Sequence, residues 1–258
     1  MSLSRFIGSC SYLQYSEVMI SSESDILSPA RYKDMMLHTR VVALGKQAAN
    51  LLLFYICATA ASLTWAHGSV DEPVSRIYNC YNELQKGQLS SACQAAVNAG
   101  GSQMLYDWNA VRNSIPDYSS DIPNFKAVVP DGSLCGGGNS EYSGINIIRD
   151  DWVSTKVTSG SKTFTWKATA QHNPSKWYFY LTTEKYDPSQ PLTWENLALI
   201  GREGDIHATA GGHYTLKMEL PQRTGKHLLY VIWQRIDPAG EAFFSCSDLY
   251  FDSSSSSD

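Results

Sequence analysis

The second half of the chain is a succession of short segments in which apolar and polar residues alternate. Residues 163–170 read Thr-Phe-Thr-Trp-Lys-Ala-Thr-Ala, and residues 177–182 are rich in aromatic residues and threonine. Residues 214–220, 227–234 and 243–251 have the same strand-like character. Alternation with a period of two is typical of half-buried strands, and several short strands with turn signals between them favour a β-sandwich over a parallel α/β sheet. We therefore predict a mostly β fold.

The region before these segments has little regular periodicity. Short helices are plausible only over 91–99 and 103–111, and residues 115–138 contain three prolines and a run of three glycines, which is typical of a loop. The predicted architecture is an immunoglobulin/fibronectin-III-like β-sandwich with a long loop-and-short-helix insertion between its early strands.

The N-terminal region has the three-part layout of a secretory signal peptide. An uncharged run, Leu51–Ala61, follows a stretch that holds Arg40 and Lys46, and small residues stand at the −3 and −1 positions of a cut after Ala66. The run is shorter than the ~20 residues that a membrane span needs, although an uncleaved anchor is the alternative. We predict a secreted, extracellular protein that begins at residue 67.

This cleavage divides the chain into three parts. Residues 1–66 form the leader, 67–252 the folded domain, and 253–258 a serine-rich tail or the start of a linker. Residues 1–34 are unusual before a signal peptide, which indicates that translation starts at Met35 or Met36.

Composition and charge narrow the choice of partners. The chain is 43% hydrophobic, which is enough for a packed core, and its formal net charge is −5. Binding to nucleic acid or to an anionic membrane needs a basic surface, so we expect neither partner. A neutral, insoluble substrate is compatible with this charge.

Four of the six cysteines follow the predicted cut. An even number of cysteines in an exported protein indicates two disulfides, for which three connectivities exist. The spacing favours a local bridge between Cys80 and Cys93, with Cys135 and Cys246 tying the last strand to the middle of the domain. No CxxC motif occurs, which argues against a structural zinc site.

Cleavage after Ala66 would give the domain an N-terminal histidine. The α-amine and imidazole of His67 offer two nitrogen ligands, and a second imidazole would complete a three-nitrogen site of the kind that suits Cu(II). Among the remaining histidines, His172 stands out because it follows the predicted strand 164–170 and precedes the Asn173-Pro174 turn. Taken singly, each histidine is more often a surface residue than a metal ligand.

An ordered series of motifs extends across the whole predicted domain. It comprises His67-Gly68, Pro73-Val74-Ser75-Arg76, residues 164–172, Trp177–Thr182, Tyr186–Thr193, Tyr230–Trp233, Glu241–Phe244 and Asp248. This series resembles the bacterial-type lytic polysaccharide monooxygenases, auxiliary activity family 10, which are also called type-4 chitin-binding domains.

The resemblance implies a role for several individual residues. His67 and His172 would hold one copper ion, with Phe243 as the axial aromatic residue beside it. Glu241 would be an acid near the metal with Arg235 as its neighbour. Two further residues match positions around the copper: Ala170, the small residue at the solvent-facing side, and Trp233, a buried aromatic residue proposed as a route for stray oxidising equivalents.

The resemblance also implies the reaction. It is the oxidative cleavage of a crystalline β-1,4-linked polysaccharide by a monomer, with O₂ or H₂O₂ as co-substrate and an external electron donor. Chitin cleavage at C1 is the first expectation, and cellulose is the alternative because some segments resemble the branch with cellulose-active members. Tyr106 and Trp108 lie in the early loop that shapes the substrate face in this family, although either could instead belong to the core.

Rivals from other classes are weaker. A non-catalytic chitin-binding or adhesion module would use the same sandwich, but it would not need the copper ligands. A copper-storage protein would need a methionine-rich tract, and a glycoside hydrolase would need a pair of carboxylates at strand ends. The sequence shows neither feature.

Overall fold

Nine strands and two helices are present within residues 66–252, the part of the chain that the computed structural model describes. The leader, the alternative starts and the serine-rich tail lie outside the described residues. The strands are β1 (His67–Glu72), β2 (Arg112–Ser114), β3 (Ser154–Val157), β4 (Gly160–Ala170), β5 (Ser175–Thr182), β6 (Leu197–Glu203), β7 (His213–Leu220), β8 (Gly225–Arg235) and β9 (Glu241–Phe251). The helices are α1 (Arg76–Gln85) and α2 (Ser91–Gly100).

The strands form the two sheets of a sandwich, as the sequence predicts. One sheet has three strands in the order β1–β4–β7. The other has the order β2–β9–β8–β5–β6, and β3 adds to β9 in parallel. Five strands coincide with predicted segments to within three residues. The predicted fold class is confirmed.

Strand β8 lies between two hydrophobic cores. Leu229, Val231 and Trp233 face the core between the two sheets. Tyr230 and Ile232 face a second core, which the insertion between β1 and β3 closes over the larger sheet. A strand covered on both faces has no polar side to expose, so β8 reads as a continuous apolar run, whereas β7 alternates strictly between buried and exposed residues.

The insertion contains more helix at its start and less in its middle than the sequence predicts. Helix α1 is absent from the prediction, although Ser75 caps it by accepting a hydrogen bond from the amide of Tyr78 at 3.3 Å. The predicted helix over 103–111 is wrong beyond the 3₁₀ turn Gln103–Leu105. The carbonyl of Val111 accepts from the amide of Phe244 at 2.9 Å, and a continuing helix would forfeit this contact with β9.

Two disulfides hold the insertion together, with the predicted pairing. Cys80 of α1 is bonded to Cys93 of α2, and Cys135 of the loop is bonded to Cys246 of β9, each with a Cα–Cα distance of 5.3 Å. The second bridge fixes the loop to the last strand. No helix within residues 66–252 is long and apolar enough to cross a bilayer.

Candidate copper site

The pairing of β1 with β4 brings the two candidate histidines to the same end of the smaller sheet. The antiparallel register sets His67, the first residue of β1, opposite Ala170, the last residue of β4. His172 follows two residues later, before a turn through the cis Asn173-Pro174 bond. Thus a residue at the start of the domain and one more than 100 positions later in the chain share one sheet edge.

Gly68 allows β1 to approach β4 closely beside His67. A Cβ atom at position 68 would lie 2.2 Å from Nε1 of Trp166 and 2.4 Å from the carbonyl oxygen of Lys167. Neither contact is sterically allowed, so a larger residue would push the first strand away from its partner. Glycine at position 68 is therefore needed for packing, whereas His67 before it is the candidate metal ligand.

Aromatic side chains form the floor beneath His67. The ring of Phe243 from β9 meets the imidazole edge-to-face, with a centroid distance of 5.9 Å. Trp233 packs against Phe243 at 5.5 Å and stacks on Trp177 at 5.3 Å. Phe243, Trp233 and Trp177 are fully buried, so this side of the imidazole is closed to water.

The backbone and the ring of His172 are both held. The Tyr214 hydroxyl accepts a hydrogen bond from the His172 amide at 3.1 Å and donates one to its carbonyl oxygen at 3.3 Å. Nε2 of the ring lies 2.8 Å from Oδ2 of Asp237. Nδ1 is buried and has no hydrogen-bond partner within the described residues. One ring nitrogen is therefore engaged by a carboxylate while the other has a free lone pair, as in most metal-ligating histidines.

The turn that carries His172 is fixed by a neighbouring loop. The Asn173 side-chain amide donates to the Asp205 carboxylate and, at 2.9 Å, to the carbonyl oxygen of Ile206. The Ser175 amide donates to the same Asp205 oxygen at 2.9 Å. The residue after the histidine and the first residue of β5 are thus anchored at one point.

A network of charges links the surroundings of the two histidines. Arg235, at the end of β8, forms ion pairs with Asp237, which contacts His172, and with Glu241. Arg112 of β2 pairs with the other oxygen of the Glu241 carboxylate. Each carboxylate in the network thus has a cationic partner, which offsets the cost of burying these charges.

The electrostatic environment keeps the imidazole of His67 neutral. Burial lowers its pKa, and the positive charge of Arg112 lowers it further, against opposing contributions from Glu241 and Asp107. A lowered pKa leaves the ring unprotonated at neutral pH, which is the form that binds metal.

The two aromatic residues expected on the substrate face differ in their placement. Tyr106 is 66% exposed. Trp108 is only 5% exposed and packs against the rings of Tyr78 at 4.5 Å and Tyr81 at 5.3 Å. Trp108 thus lies in the core rather than on the substrate face, which is the alternative that the sequence left open, because α1 supplies two aromatic partners for the large indole.

The structure gathers most of the other predicted residues around His67. Phe243 and Trp233 lie beneath it, Ala170 lies opposite it, and Glu241 and Arg235 contribute to its electrostatic field. Three residues around the histidines were missed: Arg112, Tyr214 and Asp237. Only Asp237 had a local signal, as an acid on the turn directly after β8 and two residues beyond Arg235.

Comparison with known proteins identifies the family. A family model described as "Lytic polysaccharide mono-oxygenase, cellulose-degrading" matches residues 67–249. The chain is 42% identical over 192 residues to the chitin-binding protein CbpD of Pseudomonas aeruginosa strain UCBPP-PA14. The aligned region covers 72% of this chain and 48% of CbpD. The chain is 34% identical over 201 residues to a lytic cellulose monooxygenase of Streptomyces ambofaciens, with 72% and 54% covered. The chain thus spans about half the length of these curated relatives.

Two solved structures share the fold. One is a lytic polysaccharide monooxygenase important for efficient utilization of chitin in Cellvibrio japonicus, with a TM-score of 0.64 and 35% identity over 72% of this chain and 100% of that chain. The other is the cellulose-active CelS2 in complex with copper, with a TM-score of 0.64 and 35% identity over 72% and 99%. This chain belongs to the lytic polysaccharide monooxygenase family, whose members use copper.

Proposed function

We propose that the chain is exported, that it is cut between Ala66 and His67, and that the resulting domain is a copper monooxygenase that cleaves crystalline polysaccharide. The observation that carries this proposal is the meeting of His67 and His172 at one end of the β1–β4 pair. Their setting supports it, because Phe243 closes one side and one nitrogen of His172 has no partner within the described residues. The family match, which begins at His67, agrees with the proposed cut.

Cleavage is chemically necessary in this account. Ala66 precedes His67 in the full chain, so the α-nitrogen of His67 is a peptide amide whose lone pair is delocalised and does not bind a metal well. Hydrolysis of the Ala66–His67 bond converts this atom to an amine. Amine and imidazole of His67 together with the His172 imidazole then give three nitrogen donors, a set that favours copper.

The protein contributes orientation and exclusion of water. Copper held at these three nitrogens supplies the one-electron chemistry by which O₂ or H₂O₂, with an external electron donor, attacks a C–H bond of the sugar. Tyr214 and Asp237 orient His172, and the Phe243 ring offers no donor atom and keeps water from the buried side. The single methyl group of Ala170 leaves room beside His67 at the outer side.

Chitin is the proposed substrate, with oxidation at C1. The name of CbpD and the chitin role of the Cellvibrio japonicus enzyme support chitin. The family description, the Streptomyces ambofaciens relative and CelS2 favour cellulose as the second candidate. We propose that the exposed ring of Tyr106 stacks on a sugar of the bound chain, and that the protein acts as a secreted monomer.

A side-by-side assay tests this proposal. The copper-loaded, exported protein is incubated with β-chitin or cellulose and ascorbate, and soluble products are identified by mass spectrometry. We expect C1-oxidised chito-oligosaccharides, which His172→Ala abolishes and His207→Ala, at an exposed histidine, leaves in place. If only oxidised cello-oligosaccharides are found, the substrate is cellulose and not chitin. No oxidised product from a copper-loaded protein would instead favour a non-catalytic binding module.

A further inference from the structure

A polar cleft of about 470 Å³ opens beside His67. Its lining comes mainly from the insertion and includes Asp107, Glu141 and Tyr142. The features of the copper site described above, the two histidines and the aromatic side chains beneath His67, do not explain why a cleft is present here. Its volume is within the range of pockets that hold small ligands.

The hydroxyl of Tyr142 lies unused in this cleft. The residue is 3% exposed, and no hydrogen bond to its hydroxyl occurs within residues 66–252. The side chain is otherwise enclosed, but its hydroxyl oxygen keeps accessible surface toward the cleft. A polar ligand in the cleft would supply the missing partner.

The charge that faces the cleft is negative. Glu141 forms no side-chain ion pair within the described residues, and the only side-chain partner of Asp107 is the neutral amide of Gln103. The cation in the lining, Arg112, is paired with Glu241. Burial raises the pKa of Tyr142 to about 12, with the charges of Asp107 and Glu141 adding to this rise and the charge of Arg112 opposing it.

We propose that this cleft is a subsite for a sugar unit with a free ammonium group, so that the enzyme prefers partly deacetylated chitin chains. Asp107 and Glu141 attract the ammonium group, and the Tyr142 hydroxyl bonds a neighbouring sugar hydroxyl. An N-acetylated unit has no positive charge and therefore lacks this attraction to the two carboxylates. The inference rests on the proposed function for its polysaccharide substrate.

Binding of soluble oligomers tests the subsite without turnover. The copper-loaded, unreduced protein is titrated calorimetrically with a hexamer of glucosamine and with a hexamer of N-acetylglucosamine. We expect the glucosamine hexamer to bind about tenfold more tightly at low salt, because each partly exposed ion pair contributes up to ~1 kcal/mol. Added salt should reduce this preference.

Variants locate the effect. The double variant Asp107→Asn, Glu141→Gln should abolish the preference for the glucosamine hexamer. Tyr142→Phe should weaken the binding of both hexamers about threefold, as expected for one lost hydrogen bond. Glu219→Gln removes the same charge on β7, opposite the start of β4 and so far from Ala170 and His67, and should change nothing. Equal or tighter binding of the N-acetylated hexamer by the unmodified protein would overturn the proposal. A preference for the glucosamine hexamer that persists in the double variant would also overturn it, since the amine would then bind at the metal. If the preference is found and no polysaccharide is oxidised, only the proposed reaction fails.

Discussion

The hydroxyl of Tyr214 bridges the backbone amide and carbonyl of His172, at 3.1 and 3.3 Å. Tyr214 is fully buried on β7, and its ring packs against Trp177 and Trp233 at 5.0 and 5.2 Å. A side chain fixed in the core thus holds the segment that carries a candidate ligand. The strand pairing alone would leave His172 in an unsupported turn.

Tyr214→Phe should weaken copper binding while leaving the fold intact. The variant keeps the ring and loses two hydrogen bonds, each with a net contribution of about 1 kcal/mol, so we expect roughly a thirtyfold rise in the dissociation constant for Cu(II). A competition titration measures this change, and a shift in the Cu(II) electron paramagnetic resonance spectrum would show altered ligand geometry. Tyr250→Phe, at an exposed tyrosine, is the control. Unchanged affinity and spectrum would show that Tyr214 does not position His172.

Glu241→Gln should destabilise the domain. The Glu241 carboxylate lies between two guanidinium groups, and its neutral replacement leaves Arg235, whose side chain is 8% exposed, with only one of its two carboxylate partners. We expect a loss of roughly 3 kcal/mol in the free energy of unfolding, the low end for a broken buried pair because Arg112 is partly exposed. Chemical denaturation measures the loss, with the exposed Glu195→Gln as control. A loss equal to that of the control would contradict the network.

The two disulfides should contribute unequally to stability. Cys135–Cys246 spans 111 residues and Cys80–Cys93 spans 13. If the bridges act mainly by restricting the unfolded chain, removing them as Cys→Ser pairs should cost roughly 5 and 3 kcal/mol. Thermal and guanidinium denaturation of the two double variants checks the order. A larger loss from the shorter loop would contradict this explanation.

His227 should make the domain less stable in mild acid. Burial lowers its pKa, as does the charge of Arg223, so the folded protein keeps this ring neutral to lower pH than the unfolded chain does. As the pH falls below the unfolded value of about 6.5, the unfolded state takes up the proton first, and stability drops until the folded pKa is passed. His227→Gln should flatten the dependence of unfolding free energy on pH below about 6.5, whereas His207→Gln should not. Identical slopes in the unmodified protein and His227→Gln would exclude this role.

The strands that the sequence revealed are those whose own pattern determines their burial. Strands β4 and β7 alternate because one face meets the core, and β8 is apolar because both faces do. Strands β1 and β2 have no such pattern, and their position is set by pairing with β4 and β9, which lie far away in the chain.

The site follows the same division. His67 and His172 were found through a processing signal and a family resemblance, whereas Tyr214 and Asp237 reach His172 only through tertiary packing. The sequence left Trp108 undecided between core and substrate face because its partners on α1 could not be anticipated without that helix.

The central claim is that a free N-terminal His67 and His172 bind one copper ion together. The most direct test is a Cu(II) titration of the exported protein, whose first residue is established by intact mass, against the same protein retaining Ala66. We predict a start at His67, one copper per chain, and affinity at least about 100-fold weaker when Ala66 is retained, because loss of a direct ligand should exceed the 10–100-fold cost of losing an outer-shell partner. Equal affinity in the two proteins, or a mature start at any other residue, would contradict the account.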